Sequence, residues 1–231
     1  MPYQPVITCE HASNHLPQKY ALLFGDRPQL LKSHCAYDPG ARELAQRFAG
    51  RFNAPCFEGT VSRLLVDCNR SPGHRRLFGH GLEADERAAL LHRYYLPFRQ
   101  AAAAAITAAM DDGRTALHLS VHTFTPTLDG TERRADVGLL YDPRRTREKS
   151  LCAAWIAALR EMAPRLRLRR NYPYRGVADG FATLLRTQLG EGGYLGIELE
   201  VNQRLVNNDG PRWQAVQEQL VASLASATGA P

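Results

Sequence analysis

The sequence has few cysteines and lacks the spacing that a disulfide framework or a thiolate zinc site would show. Its five cysteines are odd in number, and no two are spaced as Cys-x-x-Cys. This pattern indicates a reducing compartment. The N-terminus, Met-Pro-Tyr-Gln-Pro, also lacks a positive stretch followed by a long apolar run. We therefore expect no signal peptide and a cytoplasmic protein.

Long hydrophobic runs are missing too. No segment approaches the roughly 18 apolar residues that a membrane-spanning helix needs, so we expect no membrane partner. Hydrophobic residues make up 44% and charged residues 23% of the 231 residues, which is ordinary for a globular protein, and the length fits one domain over residues 1–231. The net charge is +6. The basic run Arg165–Arg170 lacks aromatic interleaving or a known module, so we expect no nucleic-acid partner.

Strands and helices alternate along the chain. This predicts an α/β fold with three layers, α/β/α, around a mainly parallel, mixed sheet. Asp38 is a plausible cap and Pro39 a suitable first residue for a helix, whereas Pro97 should kink or divide a later helix. The basic run is expected to be a strand or a helix edge. The predicted strands cover 6–9, 64–66, 116–122, 137–141 and 194–201, and the predicted helices cover 39–51, 84–111, 150–162, 180–189 and 211–227.

Polar residues stand where several of these apolar strands end. His11 follows the first strand and His122 ends the third, and ligand sites of open α/β sheets lie beyond the carboxyl ends of the strands. Neutral imidazole is a common ligand for zinc and other first-row metals. The sequence therefore predicts a divalent metal, zinc being preferred, on these two histidines.

A catalytic zinc usually takes three protein ligands and leaves one position for water. Asp38 is the preferred third ligand, because the helix that it is expected to cap starts near the end of the first strand. Asn14, Glu10 and His34 are its rivals. His118 shares a face with His122 and is expected to have a structural or supporting role.

Two carboxylates lie one residue apart in the last predicted strand. Glu198 and Glu200 share one face of that strand, because side chains alternate between faces. A buried carboxylate needs a partner, so one of the two could activate water as a general base. An edge strand with a solvated face is the structural alternative. Cys9 and Cys68 lie nearby, but neither has the surroundings of a known thiol hydrolase.

Basic and amide side chains follow the second predicted strand. Arg63, Asn69 and Arg70 could hold a substrate carboxylate, because the arginine fork matches two carboxylate oxygens. Asp67 is expected to orient one of these arginines. A solvated ion pair is the bland alternative.

Taken together, the motifs resemble the N-formylglutamate amidohydrolase family, which is similar to zinc carboxypeptidases and to the aspartoacylase and succinylglutamate desuccinylase group. They occur in the order of the family and span nearly the whole chain. The matching segments are Ile7–Asn14, Tyr37–Ala41, Ser62–Arg70, His118–Phe124, Asn171–Gly176 and Glu198–Leu205.

The resemblance implies a phosphorylase/hydrolase-like fold and hydrolysis of N-formyl-L-glutamate to formate and glutamate. It implies that His11 and His122 bind the metal. Glu200 matches the general base, and we expect Arg63 to help stabilise the oxyanion.

The resemblance also implies a small anionic N-acyl amino acid as partner. Asn69 and Arg70, with Arg63 upstream, match the residues that hold its α-carboxylate. Tyr174 and Arg175 fall in a loop similar to a substrate-contacting loop. The wider group has a glutamate where this chain has Asn14, and the chain is short for the family. A peptidase or amidase acting on other N-acyl or cell-wall-type amides, and a non-catalytic binder of acidic amino acids, are the alternatives.

Overall fold

A six-stranded sheet forms the centre of the computed structural model, which describes residues 3–206 and 210–230. The strands are β1 (Tyr3–Cys9), β2 (Cys56–Glu58), β3 (Thr115–Phe124), β6 (Val137–Leu140), β7 (Leu168–Arg170) and β8 (Tyr194–Asn202), and β4 (Thr127–Leu128) with β5 (Thr131–Glu132) makes a separate hairpin. The strand order in the sheet is β2-β1-β3-β8-β6-β7. The pair β6–β8 is antiparallel, and the other four neighbouring pairs of this sheet are parallel. The prediction of a mainly parallel, mixed sheet is thus confirmed.

Helices cover both faces of the sheet, as the three-layer prediction requires. The helices are α1 (Pro28–Leu31), α2 (Ala41–Phe52), α3 (Ala84–Leu90), α4 (Leu96–Ala108), α5 (Thr146–Met162), α6 (Phe181–Gln188), α7 (Gln203–Val206) and α8 (Gly210–Thr228). One face of the sheet packs on α2, α5 and α8 and the other on α4 and α6. The strands β3 and β8 are buried along their whole length, as expected for central strands covered on both sides. Within the described residues, no helix is both long and apolar enough to cross a membrane.

The predicted strand over 64–66 is wrong. Turns occupy this segment, and Val66 makes an isolated antiparallel bridge to Phe78. Leu65 and Val66 are buried in a separate apolar cluster with Tyr20 and other side chains, outside the sheet. This burial accounts for the apolar run that resembles a strand. The short strand β2 takes the edge position instead, and its partly exposed side chains gave no strand pattern.

The predicted start of the first long helix is also wrong. Gly40, with a φ of 79°, occupies the cap position, and α2 begins at Ala41 rather than at Pro39. Asp38 does not cap the helix, because its carboxylate faces two histidines. A side chain at Gly40 would be strained at this φ and would lie 2.8 Å from Val206 Cγ1.

Pro97 stands just after a π-helical segment, Leu91–Tyr95, which joins α3 to α4. A π-helical segment is a common place for a helix to change direction. Proline has no backbone N–H to donate, so it is tolerated where the regular hydrogen-bond pattern of the helix is interrupted. The α-helical pattern is thus interrupted just before Pro97, whereas helical backbone continues through the proline, and a kink at Pro97 stays a prediction. The basic run contributes β7, in agreement with one of its two predicted structures.

Candidate metal centre and active site

Two histidines face each other at the carboxyl edge of the sheet. His11 follows β1 in a turn, and His122 lies two residues before the end of β3. Their ring centroids are 4.9 Å apart, and both side chains are buried. The parallel pairing of β1 with β3 brings these positions together, as the sequence predicted.

Asp38 completes this group. Its Oδ2 lies 2.9 Å from Nδ1 of His122 and 3.3 Å from Nδ1 of His11. Ligand atoms of the three residues all lie within 4.8 Å of one another, so they could hold a metal ion. We call His11, Asp38 and His122 the metal group. The backbone N–H of Asp38 donates to the carbonyl of His11, which fixes the loop beside the strand end.

The rivals for the third ligand have other partners. Asn14 is exposed, and its amide donates to the carbonyl of Leu31. His34 is only partly buried and lies beside Cys35. Glu10 is buried near the group, but its carboxylate contacts Nε2 of His122, whereas Asp38 contacts Nδ1.

Each histidine has a buried carboxylate at its second ring nitrogen. Nε2 of His11 lies 2.7 Å from Asp67 Oδ1, and Nε2 of His122 lies 3.1 Å from Glu10 Oε2. A carboxylate there favours the proton on Nε2 and leaves Nδ1 unprotonated, the form that binds a metal. In this structure Nδ1 of His11 accepts from Nη1 of Arg63 at 3.2 Å. Burial opposes ionisation of Glu10, but its hydrogen bond with His122 and the charge of His122 lower its pKa to about 2.

A row of buried hydrogen bonds runs from Glu10 along the sheet. The Thr8 hydroxyl donates to Glu10 Oε1, so it accepts from His118 Nε2, 2.8 Å away. Nδ1 of His118 then accepts from the Tyr194 hydroxyl. Ser120 donates to the other oxygen of Glu10. His118 thus stabilises Glu10 through the Thr8 hydroxyl, and it does not face the metal group.

Glu200 is the register partner of His122 across β3 and β8. Its Oε2 is buried and has no hydrogen-bond partner among the described residues. Burial raises its pKa to about 8, against the influence of the His122 charge. Burial also raises the pKa of Glu198, one step deeper in the strand. Because β8 lies between β3 and β6, the edge-strand alternative is wrong.

The predicted carboxylate-binding residues lie around Asp67. Arg63 donates to Asp67 Oδ2 at 2.7 Å, and its Nη1 is 3.7 Å from Asp38 Oδ1. Arg70 donates to the carbonyl of Asp179. Asn69 accepts from the backbone N–H of Phe181, and its amide nitrogen is 3.5 Å from Nε2 of His122. All three reach the site, and Asp67 orients Arg63 as predicted.

The loop 171–179 carries Tyr174 and Arg175, the two residues that the sequence predicts to contact the substrate. Tyr174 is exposed, and its hydroxyl accepts from Arg133. Arg175 is exposed. The loop is held by Arg186, which donates to the carbonyl of Gly176 and forms an ion pair with Glu148.

Three residues of this region gave no signal in the sequence. Arg133 lies in a stretch with no apolar period, Glu148 looks like an ordinary residue near a helix start, and Arg186 looks like a residue on the polar side of a helix. Only the fold shows that all three are buried or nearly buried.

A thiol nucleophile does not fit the geometry. Cys9 belongs to the apolar core on the opposite face of the sheet from Glu10, and burial raises its pKa well above the usual range. Burial also raises the pKa of Cys68. Thiolate is the reactive form, so neither cysteine is suited to attack a substrate.

The fold and the site together define a class, the α/β proteins with a histidine–carboxylate group for a metal at the carboxyl edge of a parallel sheet. The family model described as N-formylglutamate amidohydrolase matches residues 3–207. The chain belongs to the N-formylglutamate amidohydrolase family, and it is a hydrolase of that family.

Solved structures share this fold. Gene product Atu2144 from Agrobacterium tumefaciens is 30% identical, with a TM-score of 0.83, over 98% of this chain and 90% of that one. The N-formylglutamate amidohydrolase from Ralstonia eutropha JMP134 is 18% identical, with a TM-score of 0.74, over 98% of this chain and 93% of that one. This chain therefore has nearly the length of both. No curated protein matches it significantly.

Proposed function

We propose that this protein hydrolyses N-formyl-L-glutamate to formate and L-glutamate and that a divalent metal, zinc, bound by His11, Asp38 and His122 is required. The observation that carries the proposal is that these three ligand atoms lie together and that Glu200, the register partner of His122, has an Oε2 atom without a hydrogen-bond partner among the described residues. The family description supports the N-formyl substrate.

The residues fit a metal of this kind. Two imidazole nitrogens and one carboxylate oxygen are a ligand set that zinc accepts, and three protein ligands leave a position for water. The carboxylates at both Nε2 atoms hold the rings with Nδ1 turned toward Asp38. When bound, the metal supplies Lewis-acid polarisation of the amide carbonyl and lowers the pKa of water.

Glu200 moves the proton. A carboxylate whose pKa is raised by burial is a stronger base than an exposed one, so Glu200 is suited to accept a proton from the attacking water. The protonated carboxyl then gives the proton to the leaving amine. Its free Oε2 has no competing hydrogen bond among the described residues.

Arg63, Asn69 and Arg70 position the substrate. Nη1 of Arg63 lies 3.7 Å from Asp38 Oδ1 and donates to Nδ1 of His11, and from this position Arg63 would stabilise the oxyanion. Asn69 and Arg70 would hold the α-carboxylate, and Tyr174 and Arg175 on the loop 171–179 would close over it. The roles of Asn69 and Arg70 follow the family motif that they match, and Tyr174 and Arg175 fall in a loop similar to a substrate-contacting loop of the family. The role of Arg63 follows from its place beside His11 and Asp38.

The experiment is formate release from a panel of N-acyl amino acids, with metal content measured on the same preparation. We expect hydrolysis of N-formyl-L-glutamate, about one metal ion per chain, and loss of activity on chelation that added zinc restores. A fully metal-loaded preparation that hydrolyses N-acetyl or peptide substrates but no N-formyl amino acid would replace this substrate assignment. A preparation that binds no metal under any loading condition would overturn the mechanism.

A further inference from the structure

Arg133 is a buried arginine near the proposed site. Only 9% of its surface is exposed, although it lies in the connection between β5 and β6. Its guanidinium lies 5.1 Å from the ring centroid of Tyr174 and 5.9 Å from that of Phe124, and it donates to the Tyr174 hydroxyl. Stacking on aromatic faces stabilises a guanidinium, but it does not neutralise the charge.

No carboxylate lies within ion-pair distance of this guanidinium in residues 3–206 and 210–230. The neighbouring Arg134 has one, since it contacts Glu132 at 3.1 Å, although both of those side chains are exposed. A buried charge without a counter-charge is costly to maintain. An anionic ligand would remove that cost.

Three other arginines of this region each have a carboxylate within ion-pair distance. Arg63 is paired with Asp67, and Arg70 lies 3.8 Å from carboxylate oxygens of Asp67 and Asp179. Arg186 is paired with Glu148. Arg133 differs from these three in having no such counter-charge among the described residues.

The strand register gives the position of Phe124, the aromatic partner of Arg133, relative to the chemistry. Phe124 is two residues beyond His122 on the same face of β3, and it pairs with Asn202 just as His122 pairs with Glu200. The amide of Asn202 donates to the carbonyl of Arg133 and anchors its backbone there. The aromatic partner of Arg133 is thus about 7 Å along the strand from the His122–Glu200 pair, at about 3.3 Å per residue.

We propose that Arg133 is the subsite for the second carboxylate of the substrate and that it selects N-acyl derivatives of dicarboxylic amino acids. This inference rests on the proposed function. Five bonds of about 1.5 Å separate the formyl carbon of N-formylglutamate from its side-chain carboxyl carbon, an extended reach of about 6 Å. That reach is close to the offset along the strand between the His122–Glu200 pair and Phe124, and the Arg133 guanidinium faces the Phe124 ring.

The test compares two substrates of nearly equal shape, N-formyl-L-glutamate and N-formyl-L-glutamine. In Arg133→Met we expect kcat/KM for the glutamate compound to fall about 10- to 100-fold, the usual effect of losing a hydrogen bond to a charged group. The glutamine compound should change less than about 3-fold. The matched control is Arg134→Met, next in the chain but exposed, which should leave both values unchanged.

A binding measurement separates this inference from the proposed reaction. Calorimetric titration should show that the wild type binds L-glutamate more tightly than L-glutamine and that Arg133→Met loses this preference. Arg133→Lys keeps the charge without the planar fork, and we expect it to retain part of the preference. This variant also provides the test if Arg133→Met does not fold.

The outcomes are distinct. If the wild type hydrolyses neither N-formyl compound but prefers to bind glutamate through Arg133, the subsite stands and the proposed reaction fails. If the wild type hydrolyses N-formylglutamate and the Arg133 variants keep its preference over N-formylglutamine, the subsite is wrong. Equal losses on both compounds in folded variants would likewise overturn it.

Discussion

Glu200 lies directly opposite His122 in the parallel register of β3 and β8. Side chains of register partners point to the same face of a sheet, so the buried carboxyl is held beside the proposed metal ligand by backbone pairing rather than by a flexible loop. Glu198 is placed in the same way opposite Ser120. The two glutamates therefore differ in depth along one strand, and this difference separates their expected roles.

We expect Glu200→Gln to retain metal and to lower kcat by about 10²- to 10⁴-fold, because the amide cannot accept the proton of water. Glu198→Gln should lower kcat much less, since this residue lies one pair deeper in the sheet. Steady-state formate release and metal content of both variants make the comparison. A larger loss in Glu198→Gln than in Glu200→Gln would transfer the role of the base to Glu198.

Asp38→Asn should weaken metal binding by at least about 10-fold, because an amide oxygen is a poorer zinc ligand than a carboxylate. The control is Asn14→Ala, which removes an exposed amide that donates to the carbonyl of Leu31. Competition titrations with a chromophoric chelator measure both affinities. Equal metal affinity in wild type and Asp38→Asn would exclude Asp38 as a ligand.

The stability of the protein should depend on pH through His118. Burial lowers the pKa of His118 from 6.5 to about 4 in the folded state. As pH falls from about 6.5 to about 4, the unfolded chain takes up a proton that the folded protein does not. The free energy of unfolding should therefore decrease, by up to about 1.4 kcal/mol per pH unit. Stability is retained above this window and lost within it.

Urea unfolding at several pH values between 4 and 7 measures this effect. His118→Asn should show a shallower decrease than wild type over that window, whereas replacement of the exposed His80 by asparagine should leave the slope unchanged. An identical slope in wild type and His118→Asn would show that other groups cause the pH dependence.

Thiol reactivity should follow burial. Cys35 is exposed and should react with a thiol reagent first, in one fast step at pH 8. Cys56 is partly buried, and burial together with the charge of Glu58 raises its pKa to about 11, so its reaction should be slow and should accelerate at higher pH. Absorbance of the released thionitrobenzoate gives the count. All five thiols should react after unfolding in guanidinium chloride.

Cys35→Ser is the control for this assignment, since it should remove the fast step alone. Rapid modification of Cys9 or Cys68 in the native protein would contradict the buried positions that exclude them as nucleophiles.

The meeting of His11 and His122 could be predicted from the sequence because both adjoin apolar strands, and strand ends meet at one edge of a parallel sheet. Asp38 is the third ligand that the sequence favours, for a reason that the structure corrects. The sequence predicts it as a helix cap, whereas the chain turns at Gly40 and leaves the carboxylate facing the histidines. Asp38 thus lies beside the histidines, but a different local structure from the predicted one places it there.

Long-range contacts explain what the sequence could not show. Glu10 directly follows β1, yet its partner His122 lies more than a hundred residues away, so no local spacing reveals the pair. Leu64–Val66 has the apolar pattern of a strand, but its burial comes from a cluster outside the sheet. A pattern of apolar residues reports burial, and it does not say against what the segment packs.

The reversed direction of β6 has a consequence for how this site could diversify. Because β6 runs antiparallel to β8, its first residue lies at the same edge as the last residues of β3. The β4–β5 hairpin therefore leaves the site edge and returns to it, with both ends fixed by the sheet. Such a segment can be lengthened, shortened or exchanged at little cost to folding. A grafted hairpin could thus bring a new recognition group to this edge while β3 and β8, which carry His122 and Glu200, stay unaltered.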